Sequence, residues 1–250
     1  MALVCRFVEF HQLKTVLMNV VITGASRGLG KAMARKFASA GYHLYLGARN
    51  EELLSATAKE LKALQQDIVI ETKTADFGQR SGVDDFAQWI LDKKIKTDIL
   101  INNAGTFIPG SVHNEAEGTL ETMMTVNMYS AYHLTRALLP GMMKEKRGHI
   151  FNICSIASLK AYANGGAYSI SKFALLGFSK NLREEMKDYG IKVTAVLPGA
   201  AYTDSWAGSG IDPKRFMEAN DIAEMVFAAS RLSAGACVEE IVLRPQLGDL

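Results

Sequence analysis

NVVITGASRGLG, residues 19–30, places a short β-branched run directly before a glycine-rich turn. The run Asn19–Thr23 is typical of a buried strand, and a helical pattern follows from Lys31 to Ala40. Glycines at 24, 28 and 30 allow positive φ angles and let a phosphate group approach the backbone. The helix offers free N–H groups and its positive dipole end to that phosphate. The stretch therefore predicts a dinucleotide-binding turn, although its glycine spacing is not the GxGxxG of many dehydrogenases.

The rest of the chain alternates strands with helices. Further strands are predicted at 43–46, 67–72, 98–101, 148–153, 192–197 and 238–243. Further helices are predicted at 51–65, 83–93, 120–127, 129–144, 168–189 and 221–231. This order indicates an α/β fold, a single Rossmann-type doubly wound domain over residues 18–250, with about seven parallel strands and helices on both faces. Residues 1–17 are interpreted as an N-terminal extension without a role in the chemistry, or as a short docked strand or helix.

Composition narrows the classes of function. In 250 residues, 28 basic and 26 acidic side chains give a net charge of +2, so neither nucleic acid nor a membrane is expected as a partner. No apolar run approaches the roughly 18 residues that a membrane-spanning helix needs. The cysteines at 5, 154 and 237 are far apart, which fits reduced thiols and a cytoplasmic location. The histidines at 113, 133 and 149 lack metal-ligand spacing, so no metal is expected.

The end of the second strand indicates which dinucleotide binds. An acid there would favour NAD by binding its ribose 2′-hydroxyl, but residues 44–49 read LYLGAR and contain none. Arg27 in the turn and Arg49 after the strand instead suit a 2′-phosphate, because a guanidinium group binds phosphate with two hydrogen bonds. NADP(H) is therefore the expected cofactor. The alternative is that Arg49 is only a solvated surface residue.

Two further loops fall at the same edge of the predicted sheet. Asp76, past the third strand, could accept a hydrogen bond from the adenine amino group or could instead cap a loop or helix. Asn102-Asn103-Ala104-Gly105 follows the fourth strand, and its small residues leave room for the adenosine ribose.

The candidate catalytic stretch is Tyr168-Ser169-Ile170-Ser171-Lys172. Residues four apart share one face of a helix, so the phenol and the ammonium group can point into one pocket. A nearby cation would lower the pKa of Tyr168 from about 10 towards neutral pH and make it a general acid/base. A tyrosine and a lysine at this spacing also occur by chance, so the motif alone proves little.

Taken together, the motifs resemble those of the classical short-chain dehydrogenase/reductase family, in its NADP(H)-preferring branch. The resemblance extends from Asn19 to about Leu243. Five signatures occur in the family's order: Thr23-Gly24-x-x-x-Gly28-x-Gly30, Asn102-Asn103-Ala104-Gly105, Asn127, Ser155 with Tyr168-x-x-x-Lys172, and Pro198-Gly199 with Thr203. One departure is Cys154, where the family often has a serine; we interpret it as a small buried residue.

The resemblance implies four catalytic residues. Tyr168 would protonate the substrate oxygen in reduction, and Lys172 would lower the pKa of Tyr168 and bind the nicotinamide ribose. Ser155 would orient the substrate oxygen, although a serine at a strand end is commonly only a cap. Asn127, expected at a break between two helices, would hold a water that extends the proton relay through Lys172.

The resemblance also implies where the cofactor lies. Pro198 and Gly199 would line the nicotinamide and Thr203 would contact its carboxamide. The expected cofactor-binding residues are Gly24, Ser26, Arg27, Gly28, Leu29, Gly30, Arg49, Asp76, Asn103, Ala104, Gly105, Tyr168, Lys172, Pro198, Gly199 and Thr203.

The substrate is the least determined part of the prediction. Residues 204–217 are expected to form a compact lid, with Trp206, Ile211 and Phe216 as its apolar side chains. Tyr162 and Asn164 could also face the substrate. A compact lid indicates a small or slim carbonyl compound. The candidate substrates are 3-oxoacyl thioesters, 3-hydroxy or amino-hydroxy acids, pteridine side-chain ketones, and xenobiotic ketones or aldehydes.

Three functional hypotheses follow for this chain. The leading one is an NADPH-dependent carbonyl reductase. A non-catalytic dinucleotide-binding sensor or scaffold could use the same fold, but it would be free to lose Ser155, Tyr168 or Lys172. An epimerase or dehydratase of the extended branch is disfavoured by the chain length. The resemblance also implies a homodimer or homotetramer that pairs the helices at 129–144 and 167–189.

Overall fold

The computed structural model describes residues 18–203 and 210–250, and the predicted extension, residues 1–17, lies outside this range. Its main sheet has seven parallel strands in the order β3-β2-β1-β4-β5-β6-β9. The strands are β1 (Asn19–Thr23), β2 (His43–Ala48), β3 (Ile70–Thr74), β4 (Ile99–Asn102), β5 (Gly148–Ile153), β6 (Ile191–Pro198), β7 (Ala201–Tyr202), β8 (Met217–Glu218) and β9 (Glu240–Leu243). Strands β7 and β8 form a separate small pair. The predicted parallel α/β sheet is confirmed.

Helices cover both faces of this sheet. They are α1 (Gly28–Ser39), α2 (Glu51–Leu64), α3 (Arg80–Asp92), α4 (Thr119–Met124), α5 (Ser130–Glu145), α6 (Gly166–Met186) and α7 (Ala219–Ser230). Val20 and Ile22 pack with α1, α2 and α7, whereas Val21 packs with α3, α5 and α6. Because strand side chains alternate between faces, one buried strand serves two apolar cores. Among the described residues, no helix has both the length and the apolar character needed to span a bilayer.

The structure corrects the helix break that we expected at Asn127. Helix α4 continues through a π-helical turn, Thr125–Tyr129, directly into α5. The Ser130 N–H closes this wider turn on the Thr125 carbonyl. A π turn adds one residue without ending the helix, and such turns are frequent at functional sites.

The strand order also locates the candidate site. It reverses between β1 and β4, since the chain goes outward from β1 to β3 and then returns to the other side of β1. Open parallel sheets bind ligands in the crevice at such a reversal, at the carboxyl ends of the strands. The turns after β1, β4, β5 and β6 all lie at that edge, and they carry the glycine-rich turn, Asn103, Ser155 and Gly199.

Candidate active site

The glycine-rich turn has the backbone geometry that its sequence predicts. Gly24 and Gly28 have φ angles of 67° and 55°, a region that favours glycine. A Cβ on Gly30 would lie 2.2 Å from the Gly24 carbonyl oxygen. Helix α1 begins at Gly28 with no side-chain cap and no acid in its first turn. Its first N–H groups and positive dipole end can therefore receive an anion.

Hydrogen bonds of Asn103 join the glycine-rich turn to the end of β4. Its amide nitrogen Nδ2 donates to the carbonyl oxygens of Thr23 and Gly24, at 2.9 and 3.0 Å. The backbone N–H groups of Asn103 and Ala104 both donate to the Thr23 hydroxyl, at 3.0 and 2.9 Å. The contacts of Asn103 thus shape the predicted cofactor site by holding two strand ends together.

The two predicted phosphate-binding arginines follow neighbouring strands. Thr23 of β1 pairs with Gly47 of β2, and the Ala25 N–H donates to the Gly47 carbonyl, which joins the two strand ends. Arg27 and Arg49 are both exposed. Within the described residues neither forms an ion pair.

Asp76 shows the local role that we weighed as its alternative. Its Oδ1 accepts from the Gly78 N–H at 2.9 Å, and its carbonyl accepts from the Gln79 N–H. The carboxylate therefore shapes the turn between β3 and α3, next to the site.

Ser155, Tyr168 and Lys172 come together at the end of β5. The Lys172 side chain is buried, its Nζ donates to the Ile153 carbonyl at 2.7 Å, and it lies 5.8 Å from the centroid of the Tyr168 ring. The Ser155 hydroxyl lies close enough to the Tyr168 phenol to lower its pKa. Ser155 also accepts from the Ala157 N–H at 3.1 Å and so caps the 3₁₀ turn Ile156–Ser158. Ser155 therefore caps this turn and contacts the Tyr168 phenol at the same time.

The pKa values of Tyr168 and Lys172 differ from our expectation. Burial raises the pKa of Tyr168, and the nearby Ser155 hydroxyl lowers it by a smaller amount. Burial lowers the pKa of Lys172 to about 8. The expected lowering of the Tyr168 pKa by Lys172 is therefore not seen, because the desolvation of the phenol dominates. At neutral pH the phenol keeps its proton beside a charged ammonium group.

Asn127 sits in the π-helical turn and joins three segments. Its Oδ1 accepts from the Thr106 N–H at 2.7 Å, and its Nδ2 donates to the Thr106 carbonyl at 3.0 Å. The same nitrogen donates to the Ser171 hydroxyl at 2.9 Å, which in turn donates to the Tyr168 carbonyl. The amide therefore holds the loop after β4 against the helix that carries Tyr168.

Two aromatic residues near Tyr168 are about half exposed. The Phe107 ring meets the Tyr168 ring edge-on at 4.9 Å, and 48% of Phe107 is exposed. Tyr162 is 47% exposed, and its pKa is raised to about 12 by burial and by Tyr168. Tyr162 was expected here, whereas Phe107 was missed. Its position, just past Asn102-Asn103-Ala104-Gly105 at the strand end, was the available signal.

Four other residues were predicted to face the substrate. The Asn164 Oδ1 accepts from the Ser111 hydroxyl at 3.0 Å, so this side chain links two loops. Phe216 is buried and packs edge-on against Tyr202 at 5.6 Å. Ile211 is half-buried. Trp206 lies outside the described residues.

Residues 18–213 match the family model described as short chain dehydrogenase. The chain belongs to the short-chain dehydrogenase family. A sepiapterin reductase of Chlorobaculum tepidum is 32% identical over 239 residues, covering 92% of this dehydrogenase and 97% of that protein.

Two solved structures resemble this dehydrogenase over most of its length. A metagenomic short-chain oxidoreductase in complex with NADP gives a TM-score of 0.79 at 33% identity, covering 92% of this chain and 97% of the other. The L-sorbose reductase of Gluconobacter frateurii, complexed with NADPH and L-sorbose, gives 0.84 at 27% identity, covering 92% and 95%. The predicted family and fold are confirmed.

The dehydrogenase brings its remaining predicted residues to the same edge. A Cβ on Gly28 would lie 3.4 Å from Thr203 Cγ2, so Thr203 borders the glycine-rich turn. The Gly199 N–H donates to the Leu243 carbonyl and fixes the end of β6 against β9. Cys154 is buried, and burial raises the pKa of its thiol to about 11, so it carries no thiolate at neutral pH. Within residues 18–203 and 210–250, no three metal-ligating side chains cluster as a metal site requires.

Proposed function

We propose that this short-chain dehydrogenase is an NADPH-dependent carbonyl reductase that converts a ketone or aldehyde to an alcohol. The observation that carries the proposal is the meeting of Ser155, Tyr168 and Lys172 at the sheet edge that also carries the glycine-rich turn. A sensor or scaffold would have no need for a buried cation next to a half-buried phenol, because burying the cation costs desolvation energy.

The glycine-rich turn and the two arginines near it match the phosphate groups of NADP(H). The uncapped start of α1 and the left-handed glycines suit a pyrophosphate. The exposed Arg27 and Arg49 suit a ribose 2′-phosphate, which NADP(H) has and NAD(H) lacks. The named relatives that are complexed with NADP or NADPH support the same choice. The cofactor supplies the hydride.

The protein's own groups handle the proton and the charge. The Tyr168 phenol donates its proton to the carbonyl oxygen as negative charge develops there. Its raised pKa keeps the phenol protonated at neutral pH, which is the form that a donor needs. The Lys172 ammonium group stabilises the phenolate that results, and the Ser155 hydroxyl orients the substrate oxygen.

Asn127 has a positioning role in this scheme. Its amide is bonded to Thr106 and Ser171, which ties the β4 loop to the catalytic helix. In addition, we propose that Asn127 holds the water of the proton relay that the family resemblance implies.

The cleft beside Tyr168 favours a small or slim carbonyl compound. Phe107 and Tyr162 present exposed aromatic surface next to the phenol, so an apolar substituent on the carbonyl would be favoured there. The relatives include a sepiapterin reductase, which supports a carbonyl attached to a flat ring as one substrate class to test.

The proposal is tested by Tyr168→Phe, with Tyr189→Phe as a control on an exposed tyrosine. Removing the phenol oxygen should lower kcat by at least about 100-fold, the scale of general acid catalysis. The dissociation constant for NADPH should stay near that of the wild type. Substantial turnover by Tyr168→Phe would show that another group donates the proton.

We also propose that α5 and α6 pair with the same helices of a second copy. A groove of about 610 Å³ runs between them, lined by Tyr132, Leu139, Phe178 and neighbouring residues. Phe173 on α6 is half exposed. Leu139→Asp should convert the assembly to a monomer in light scattering, and an unchanged mass would refute this surface.

A further inference from the structure

The helix that carries Tyr168 is capped from a distant part of the chain. Helix α6 begins at Gly166, and its N-cap residue, Gly165, has no side chain with which to cap it. The Glu115 carboxylate supplies the cap instead, since its Oε2 accepts from the Ala167 N–H at 3.1 Å. Tyr168 is the next residue. A carboxylate here also matches the positive end of the helix dipole.

Two glycines make room for the Glu115 side chain. A Cβ on Gly110 would lie 2.8 Å from the Cβ of Glu115, and a Cβ on Gly166 would lie 2.6 Å from its Oε2. The loop is also joined directly to the start of the helix, since Gly110 and Gly165 form a β-bridge and the Gly110 N–H donates to the Asn164 carbonyl. The side chain therefore occupies a slot that any larger residue at either glycine would close.

The loop that Glu115 anchors also carries the aromatic side chain that contacts Tyr168. This loop, residues 106–118, begins at Thr106, where both backbone groups bond to Asn127. Phe107 follows and contacts the Tyr168 ring. Asn127 thus fixes one end of the loop to the catalytic helix, and Glu115 fixes the other.

We propose that Glu115 is a positioning residue, which holds the first turn of α6 and so fixes the Tyr168 phenol against Phe107 and the substrate oxygen. This proposal rests on the role of Tyr168 proposed above. Glu115 acts through a hydrogen bond to the backbone and not through its charge on the phenol. A misplacement of about 1 Å can lower turnover by about 100-fold, so loss of this cap should affect kcat more than cofactor binding.

The test compares Glu115→Ala and Glu115→Gln with the control Glu117→Ala, which removes an exposed acid from the same loop. All are assayed for NADPH oxidation with a carbonyl substrate that the wild type reduces. Glu115→Ala should lower kcat by at least about tenfold while the KM for NADPH changes less than about twofold. Glu115→Gln should recover most of kcat, because its amide oxygen can still accept from Ala167. Equal kcat in Glu115→Ala and wild type, or no recovery in Glu115→Gln, overturns the proposal.

A second variant avoids changing Glu115 itself. Gly166→Ala places a methyl group 2.6 Å from both the Glu115 Oε2 and the Gly110 carbonyl oxygen, whereas Gly141→Ala adds one to α5 with no atom within 4 Å. Alanine favours helices more than glycine does, so an effect of helix propensity alone would be the same in both variants. We expect only Gly166→Ala to lower kcat and to speed hydrogen exchange of the amides at the start of α6. Unchanged exchange in both Gly166→Ala and Glu115→Ala overturns the capping role without any activity assay. Absence of turnover in the wild type would instead contradict the proposed reductase.

Discussion

Gly30→Ala isolates the contact between the glycine-rich turn and β4. The new Cβ would lie 2.2 Å from the Gly24 carbonyl oxygen and 2.5 Å from the Asn103 Nδ2, where ordinary contacts begin at 3.4 Å. The backbone must therefore move by about 1 Å, which is the scale at which overpacking costs about 1–3 kcal/mol. The movement strains the bonds from Asn103 to Thr23 and Gly24, each of which stabilises the fold by about 1 kcal/mol.

The gain in helix propensity does not offset this cost. Alanine in place of glycine stabilises a helix by about 1 kcal/mol, which offsets the loss of about one of the two Asn103 hydrogen bonds. The overpacking cost then remains as a net loss of about 1–3 kcal/mol in the free energy of unfolding. For a chain of this size that lowers Tm by several degrees, at about 2–4 °C per kcal/mol. The control Gly141→Ala meets no atom within 4 Å and should raise Tm by about 2–4 °C.

Two assays check this reasoning. Thermal melting compares the variants, and a fluorescence titration measures the dissociation constant for NADPH. Since the displaced turn is the proposed pyrophosphate site, Gly30→Ala should weaken NADPH binding by at least about 10-fold, the equivalent of 1.4 kcal/mol. Wild-type affinity in a Gly30→Ala variant that melts as high as Gly141→Ala would refute the account of this turn.

Three further predictions concern charge. Arg49→Ala should weaken NADPH by about 10-fold or more but leave NADH nearly unchanged, because only NADPH has the 2′-phosphate; titration with both cofactors checks this, and equal losses would contradict it. Because burial lowers the pKa of Lys172 to about 8, the kcat for carbonyl reduction should fall as the pH rises past that value, and in Lys172→Arg the fall should move to higher pH. Burial lowers the pKa of His149 to about 3. On acidification, His149 is therefore protonated near pH 6.5 in the unfolded chain but only near pH 3 in the folded chain. Lowering the pH from 7 to 5 should then cost about 2 kcal/mol of stability through this residue, and urea unfolding of His149→Gln should lack that part of the pH dependence.

The fold could be predicted because its signals are local. The run Asn19–Thr23 is β-branched and ends at a glycine, and similar runs recur at intervals that require helical crossovers. The boundaries were less accurate: β3 starts at Ile70 where a start at residue 67 was expected, and α3 starts at Arg80 where residue 83 was expected. The π turn at Asn127 looked like a break, because one inserted residue disturbs the helical period in the same way that a helix end does.

The motifs were predicted more accurately than their contacts. The residues of the site do come to one sheet edge, but sequence could not show that Asn103 would bond to the glycine turn. The spacing of Tyr168 and Lys172 showed a nearby cation and not the burial that raises the pKa of the phenol. Glu115 was missed because its partner, Ala167, lies 52 residues away, and a lone glutamate in a polar loop gives no local signal.

The central claim is that the chain reduces a carbonyl group with NADPH. The most direct measurement follows the loss of absorbance of NADPH or NADH, in parallel, against small ketones, aldehydes and a 3-oxoacyl thioester. We predict turnover with NADPH on at least one of these carbonyl classes, at a rate at least about tenfold above that with NADH, and no turnover in Tyr168→Phe. Tight NADPH binding without oxidation by any of these compounds would contradict it and favour a dinucleotide-binding sensor.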